Sequence, residues 1–122
     1  MHGAFGEGGA VQKQLTEMGI PYTGCNEAAS KIGFDKILSR KAFANNGVTI
    51  PKGYVIEATE ANYSKPELPL PVVVKPPREG SSVGVSIVKT IEEFEPAVEL
   101  ARQYNPEVLV EEYIPGREWS IP

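Results

Sequence analysis

Cysteine is nearly absent: Cys25 stands alone, with no partner in the chain for a disulfide, and a reducing compartment is the simpler setting. Long apolar runs are missing too. None approaches the roughly 20 residues needed to span a bilayer, and the opening residues lack the basic-then-apolar pattern of a secretory signal. Positive charge is not in excess, with 12 Lys and Arg against 16 Asp and Glu and a formal net charge of −4. That balance excludes the footprint of a general nucleic-acid binder. It leaves nucleotide binding open, because a few local lysines suffice to hold a phosphate. The sequence also has no internal repeat, low-complexity tract or long linker. The expected setting is cytoplasmic, with neither nucleic acid nor membrane as a partner.

What is present is a chain of 122 residues, 41% hydrophobic, with room for one ordinary domain. Its most informative stretch runs from Val72 to Ser86. Three consecutive valines, Val72 to Val74, predict a buried strand. Pro76 and Pro77 stop that strand, so Lys75 is the last residue the sheet can hold and its ammonium is presented at a sheet edge. The following loop, Glu79 to Gly84, combines two glycines with two serines, which lets backbone N–H groups turn toward an anion while hydroxyls add donors. A Gly/Ser turn beside a lysine serves equally as an ordinary loop, and the spacing is not that of a Walker motif.

Before this stretch the pattern is helical. Met1 to Gly9 reads as a glycine-rich loop whose only ionisable side chains are His2 and Glu7. Val11, Leu15 and Met18 fall at helical spacing, with Gly19 placed as a C-terminal cap. Asn26 caps a second helix, and Asp35 heads a third, closed by Asn45-Asn46-Gly47. Lys36 sits in the first turn of that third helix, where a cation opposes the helix dipole. A change of pattern near Val48 gives the one credible domain boundary.

Beyond it, Pro51 to Ile56 reads as a strand with a proline entry, and Val85 to Lys89 as the antiparallel hairpin partner of the Val72 strand. Ile91 to Tyr104 predicts a helix with a capping box formed by Thr90 and Glu93. Val108 to Ile114 predicts another strand, ending in Glu111 and Glu112, which project to opposite faces. The carboxylate on the covered face needs donors, since burying it alone costs several kcal/mol, and an amine- or hydroxyl-bearing ligand is the expected source. Arg117 to Ile121 begins one more strand. Both ends look cut, with helices that have no strand to cover and a last strand that has no partner.

Taken together, Lys75–Ser86 and Val108–Trp119 resemble the D-alanine–D-alanine ligases of the ATP-grasp superfamily. The loop Arg78-Glu79-Gly80-Ser81-Ser82-Val83-Gly84-Val85-Ser86, the segment Glu107–Ile114 and the pair Arg117-Glu118 occur in that family's order. So do His2-Gly3…Gly6-Glu7, Gly19–Gly24 and Asp35-Lys36. The resemblance implies an α/β fold of the α+β ATP-grasp type. Residues 1–48 would be the carboxy-terminal, helical remnant of an amino-terminal substrate-side domain. Residues 49–122 would be an incomplete central nucleotide-binding domain, a mostly antiparallel sheet with a covering helix.

It also implies a reaction. ATP activates one D-alanine as an acyl phosphate, and the amine of a second D-alanine displaces phosphate to give the dipeptide used in peptidoglycan. By this resemblance Lys36 and Lys75 hold the nucleotide phosphates, and the loop with Glu79, Gly80, Ser81 and Ser82 closes over them. Glu111 accepts from the adenine amino group, the backbone of Glu112, Tyr113 and Ile114 pairs with the adenine edge, and Glu118 accepts from the ribose. His2 and Glu7 lie beside the first D-alanine. Glu112 stands where many members carry lysine. The family's first strand would precede Met1, while the ligands of Mg2+ (or Mn2+) and the transition-state arginine would follow Pro122. The chain alone is therefore expected to be inactive, and the full-length form a homodimer. Two other readings stand beside this one: a non-catalytic ATP-binding module, and another carboxylate–amine ligase of the superfamily.

Overall fold

A computed structural model describes residues 3–119. Four helices come first: α1 (Ala4–Glu7), α2 (Ala10–Glu17), α3 (Glu27–Phe34) and α4 (Lys36–Asn45). The sequence punctuates them as expected. Asn26 accepts from Ala29 N to cap α3, and Asp35 accepts from Ile37 N and Leu38 N to cap α4. The one departure is α1, where the glycine-rich segment was expected to be a loop. The Glu7 carboxylate accepts the Gly3 amide at 2.8 Å, and Glu7 N bonds Gly3 O, so one turn closes despite the glycines.

The remaining elements are β1 (Gly53–Ile56), β2 (Val72–Lys75), β3 (Ser86–Val88), α5 (Phe94–Arg102) and β4 (Val108–Glu112). A 3-10 turn, Ile91–Glu93, precedes α5, so the helix expected from Ile91 begins more tightly wound. The Thr90–Glu93 capping box is present, and Pro96, which has no N–H to donate, falls in the first turn of α5. The strands make one antiparallel sheet in the order β1-β4-β2-β3. The strand expected to begin at Arg117 is not formed through Trp119, and its last residues lie outside the described part of the chain.

One face of the sheet is apolar. Ile56, Val72, Val74, Val88, Val108 and Val110 meet Phe94, Ala97, Val98 and Ala101 of α5, all of them buried. Each large side chain removed from water here contributes about 1.5–3 kcal/mol. The polar stretch between β1 and β2 is pinned over α5 by Arg102, whose guanidinium donates to Glu57 O and Glu60 O and lies 4.4 Å from the Tyr63 ring centroid.

Because strand side chains alternate, the opposite face carries Lys75, Leu109 and Glu111. There Arg40 of α4 reaches across to Glu111. β4 is buried along Val108–Glu111, as befits a central strand covered on both sides.

Candidate functional site

Lys75 pairs in register with Leu109, which makes Glu111 its diagonal neighbour on the same face of the sheet. That separation is within reach of a long side chain, and the Lys75 ammonium forms an ion pair with the Glu111 carboxylate. The other carboxylate oxygen accepts from Arg40 of α4, which also donates to Pro51 O at 2.7 Å. Glu111 is 6% exposed. The buried glutamate therefore takes its donors from the protein itself, correcting the expectation that a ligand supplies them. Glu112 turns to the other side, and its carboxylate accepts Lys52 N at 2.7 Å.

These groups form the floor of a cleft of about 270 Å³ between α4 and the sheet, with Lys36, Ser39, Phe43 and Ile50 along its walls. Lys36 enters from the first turn of α4, and its ammonium donates to Glu79 O at 2.5 Å. Burial lowers the Lys36 pKa from its ordinary 10.5, and the nearby Lys75 ammonium pushes it the same way, against the carboxylates of Glu79, Asp35 and Glu111. Two ammonium groups held close enough to repel are an arrangement that an anion relieves. Each still has donors to spare, since an ammonium carries three.

The loop between β2 and β3 meets the cleft through Lys36, which donates to Glu79 O, while its own residues do not line it. Ser81 and Ser82 both adopt left-handed backbone, with φ of 51° and 59°, a conformation that costs a non-glycine residue about 1–2 kcal/mol. The hydrogen bonds inside the loop run from Val83 N to Gly80 O and from Val85 N to Ser82 O. The Ser81 and Ser82 amides thus have no partner among the described residues, and successive open amides make an anion-binding concavity. Gly84 has φ +68°, and a Cβ there would sit 2.9 Å from Tyr104 Cδ2, so only glycine folds the chain back onto β3.

The other predicted residues fall at varying distances from this centre. Glu7 reaches the loop, with its carboxylate 3.6 Å from where a Cβ on Gly80 would stand; His2 lies outside the described residues. Glu112 N and Tyr113 N already donate to Lys52 O and Pro71 O, which leaves Ile114 as the residue of the 112–114 backbone whose amide has no described acceptor. Glu118 is exposed on the irregular segment after β4 and does not line the cleft. Sequence reasoning missed Arg40. Its only signal was a cation one helical turn after Lys36 on the same face, which is equally the mark of a solvated helix. Among the described residues no group of three or more His, Cys, Asp or Glu side chains is disposed to hold a metal ion.

Comparison with known proteins gives this arrangement its relatives. Residues 38–122 match the family described as D-ala D-ala ligase C-terminus. The D-alanine--D-alanine ligase of Geobacter sulfurreducens is 48% identical over 122 residues, covering 99% of this chain and 39% of that protein. The enzyme of the same name from Actinobacillus pleuropneumoniae serotype 5b is 43% identical, covering 100% and 41%. The chain thus spans about two fifths of the length of these curated relatives. Among solved structures, D-Alanine-D-Alanine Ligase from Helicobacter pylori aligns with a TM-score of 0.87 at 31% identity, over 94% of this chain and 36% of that one. VanG D-Ala:D-Ser Ligase from Enterococcus faecalis aligns at 0.80 and 34%, over 94% and 35%. The antiparallel sheet and its helices are of the α+β ATP-grasp type that these ligases share. A match that begins inside α4 and runs on through β4 takes in the entire sheet, and it places the chain in the D-alanine–D-alanine ligase family.

Proposed function

We propose that this chain supplies the nucleotide-holding part of an ATP-dependent D-alanine–D-alanine ligase, acting in the cytoplasm to make the dipeptide used in peptidoglycan. The observation that carries the reading is the convergence of Lys36 and Lys75, from different elements, on one cleft beside a buried glutamate, with Lys36 also donating to the loop at Glu79 O. In the reaction the γ-phosphoryl group of ATP passes to the carboxylate of one D-alanine. The amine of a second D-alanine, having lost a proton, then attacks that carbonyl carbon and expels inorganic phosphate.

The residues divide the work by charge. Lys36 and Lys75 face the phosphates, and as fixed point charges they stabilise negative charge that grows during transfer. The Ser81 and Ser82 amides, with the Ser81 hydroxyl, cover the transferring group, while Glu79 and Gly80 shape the turn that brings them there. Glu111 accepts from the adenine amino group through a lone pair not used by Arg40 or Lys75, and the Ile114 amide is the backbone donor open to the adenine edge. Glu118 serves the ribose once its segment folds toward the nucleotide. Glu7, beside Gly80, holds the ammonium of the first D-alanine together with His2. Residues 1–48 and 49–122 act as the substrate-side and nucleotide-side units, and the full-length form works as a homodimer. Mg2+ would supply neutralisation of phosphate charge, and among the described residues no carboxylate cluster fits it.

The test is ATP binding by the purified 122-residue chain and by Lys75→Ala. Loss of about tenfold in affinity or more on substitution is expected for a charge facing phosphate, and equal affinity overturns the assignment. In the full-length enzyme, phosphate release from Mg-ATP should depend on D-alanine. Release driven instead by a different amino acid or carboxylic acid would sink the D-alanine reading in favour of another ligase of the superfamily.

A further inference from the structure

Arg78 follows the two prolines that end β2 and is the first residue of the loop. Its Nε donates to Asp35 Oδ2 at 2.7 Å, and its Nη1 donates to Glu107 Oε2 at 2.6 Å and to Asn105 Oδ1 at 3.2 Å. Asp35 is the N-cap of α4, its other oxygen accepting Ile37 N at 2.9 Å and Leu38 N at 3.2 Å. The next residue is Lys36, whose backbone N donates to Pro77 O at 3.0 Å. Glu107 immediately precedes β4 and stands four residues before Glu111. One guanidinium therefore joins the root of the loop, the cap of the helix carrying Lys36 and the foot of the strand carrying Glu111.

We propose that Arg78 is a positioning residue for the phosphate end of the site, fastening these three elements so that Lys36 and Lys75 stand at the cleft with the loop fixed beside Lys36 before a nucleotide arrives. The inference rests on the nucleotide reading given above. A planar fork of donors suits this task because it fixes direction as well as distance on two carboxylates at once, which a single ammonium cannot do. Burial works to raise the Asp35 carboxyl, yet the Arg78 guanidinium and the two helix amides hold it below its ordinary value.

The alternative is that Arg78 simply adds positive charge near the phosphates, and Glu107 separates the two. Glu107→Gln loosens one side of the clamp while removing a negative charge. A charge effect then strengthens anion binding, whereas loss of positioning weakens it. Binding of ATP, inorganic tripolyphosphate and adenosine should be measured by calorimetry on the 122-residue chain, on Arg78→Met, on Arg78→Lys and on Glu107→Gln. For Arg78→Met the expected loss is about tenfold for ATP and for tripolyphosphate, with adenosine within about twofold. Arg78→Lys should recover only part of that loss, and Glu107→Gln should weaken ATP about threefold. Tighter or unchanged ATP binding by Glu107→Gln overturns the positioning role, and that arm stands even where Arg78→Met does not fold. Equal binding by the parent and Arg78→Met overturns it also. Failure of the parent chain to bind either phosphate compound overturns the nucleotide reading itself, and the inference with it.

Discussion

Arg40 and Glu111, 71 residues apart, meet on the face of the sheet away from α5, across the cleft between helix α4 and strand β4. Their side chains are 17% and 8% exposed, so little solvent screens them. Removing one partner of such a pair costs about 3–5 kcal/mol when the other charge is left alone. Here Lys75 remains beside Glu111. Arg40→Met should therefore cost about 2 kcal/mol in urea unfolding, and less than about 1 kcal/mol in a Glu111→Gln background. An equal cost in both backgrounds would mean that Arg40 acts through Pro51 O and packing instead.

Gly53 is what allows that pair to form. A Cβ on Gly53 would stand 2.7 Å from Val110 O and 3.0 Å from Glu111 Cγ, and the backbone oxygen belongs to the central strand and cannot give way. Gly53→Ala should destabilise the chain by about 1–3 kcal/mol. Gly33, inside α3, meets nothing within 4 Å, so Gly33→Ala should raise stability by about 0.5–1 kcal/mol through helix propensity. Thermal unfolding of the two variants should move in opposite directions.

Asp35 makes the fold sensitive to acid. Its folded pKa lies below the ordinary 3.8, so the stability it contributes is present above that value. It is lost as pH falls from there through the folded pKa. Asp35→Asn keeps a capping oxygen and loses the ion pair with Arg78. Urea midpoints of parent and variant should therefore differ at pH 6 and converge toward pH 3, a window set by the lowered pKa. A constant difference across that range would assign the contribution to geometry alone.

Lys36 has the reverse sensitivity. Its pKa in the free chain lies below 10.5, and phosphate needs the charged form, so affinity should fall as pH rises through that lowered value. Lys36→Arg stays charged throughout. ATP affinity measured from pH 7 to 10.5 should decline for the parent and stay nearly flat for the variant. Parallel declines would place the titrating group elsewhere.

Local features of the chain were the legible ones. The caps at Asn26 and Asp35, the proline stop after Lys75, the β2–β3 hairpin and the Thr90–Glu93 capping box each depend on residues close in sequence. The strand order did not follow from the sequence, because β4 inserts between β1 and β2 and no local signal records which strands it separates. One of Glu111 and Glu112 was expected to need donors and to find them on a ligand, and Arg40 was not recognised as one of them. A helix and a strand so far apart in sequence share no periodicity that would announce their pairing. The single turn of α1 was hidden for another reason: four glycines in the first nine residues conceal a carboxylate able to close the turn.

Pro76 and Pro77 are both fully buried, and their fixed φ leaves the exit from β2 with little torsional play. Pro77 O is further tied to Lys36 N, and Gly84 folds back against the Pro76 ring. Fluctuations of the seven residues between Arg78 and Ser86 therefore stop at this stiff joint and do not pass into the ladder of β2. In amide hydrogen exchange the consequence is a discontinuity in sequence. The β2 amides should exchange only through opening of the sheet, while those of Ser81 and Ser82, with no acceptor among the described residues, should exchange much faster. The segment with open amides is in this sense mechanically insulated from the ladder that holds the sheet together.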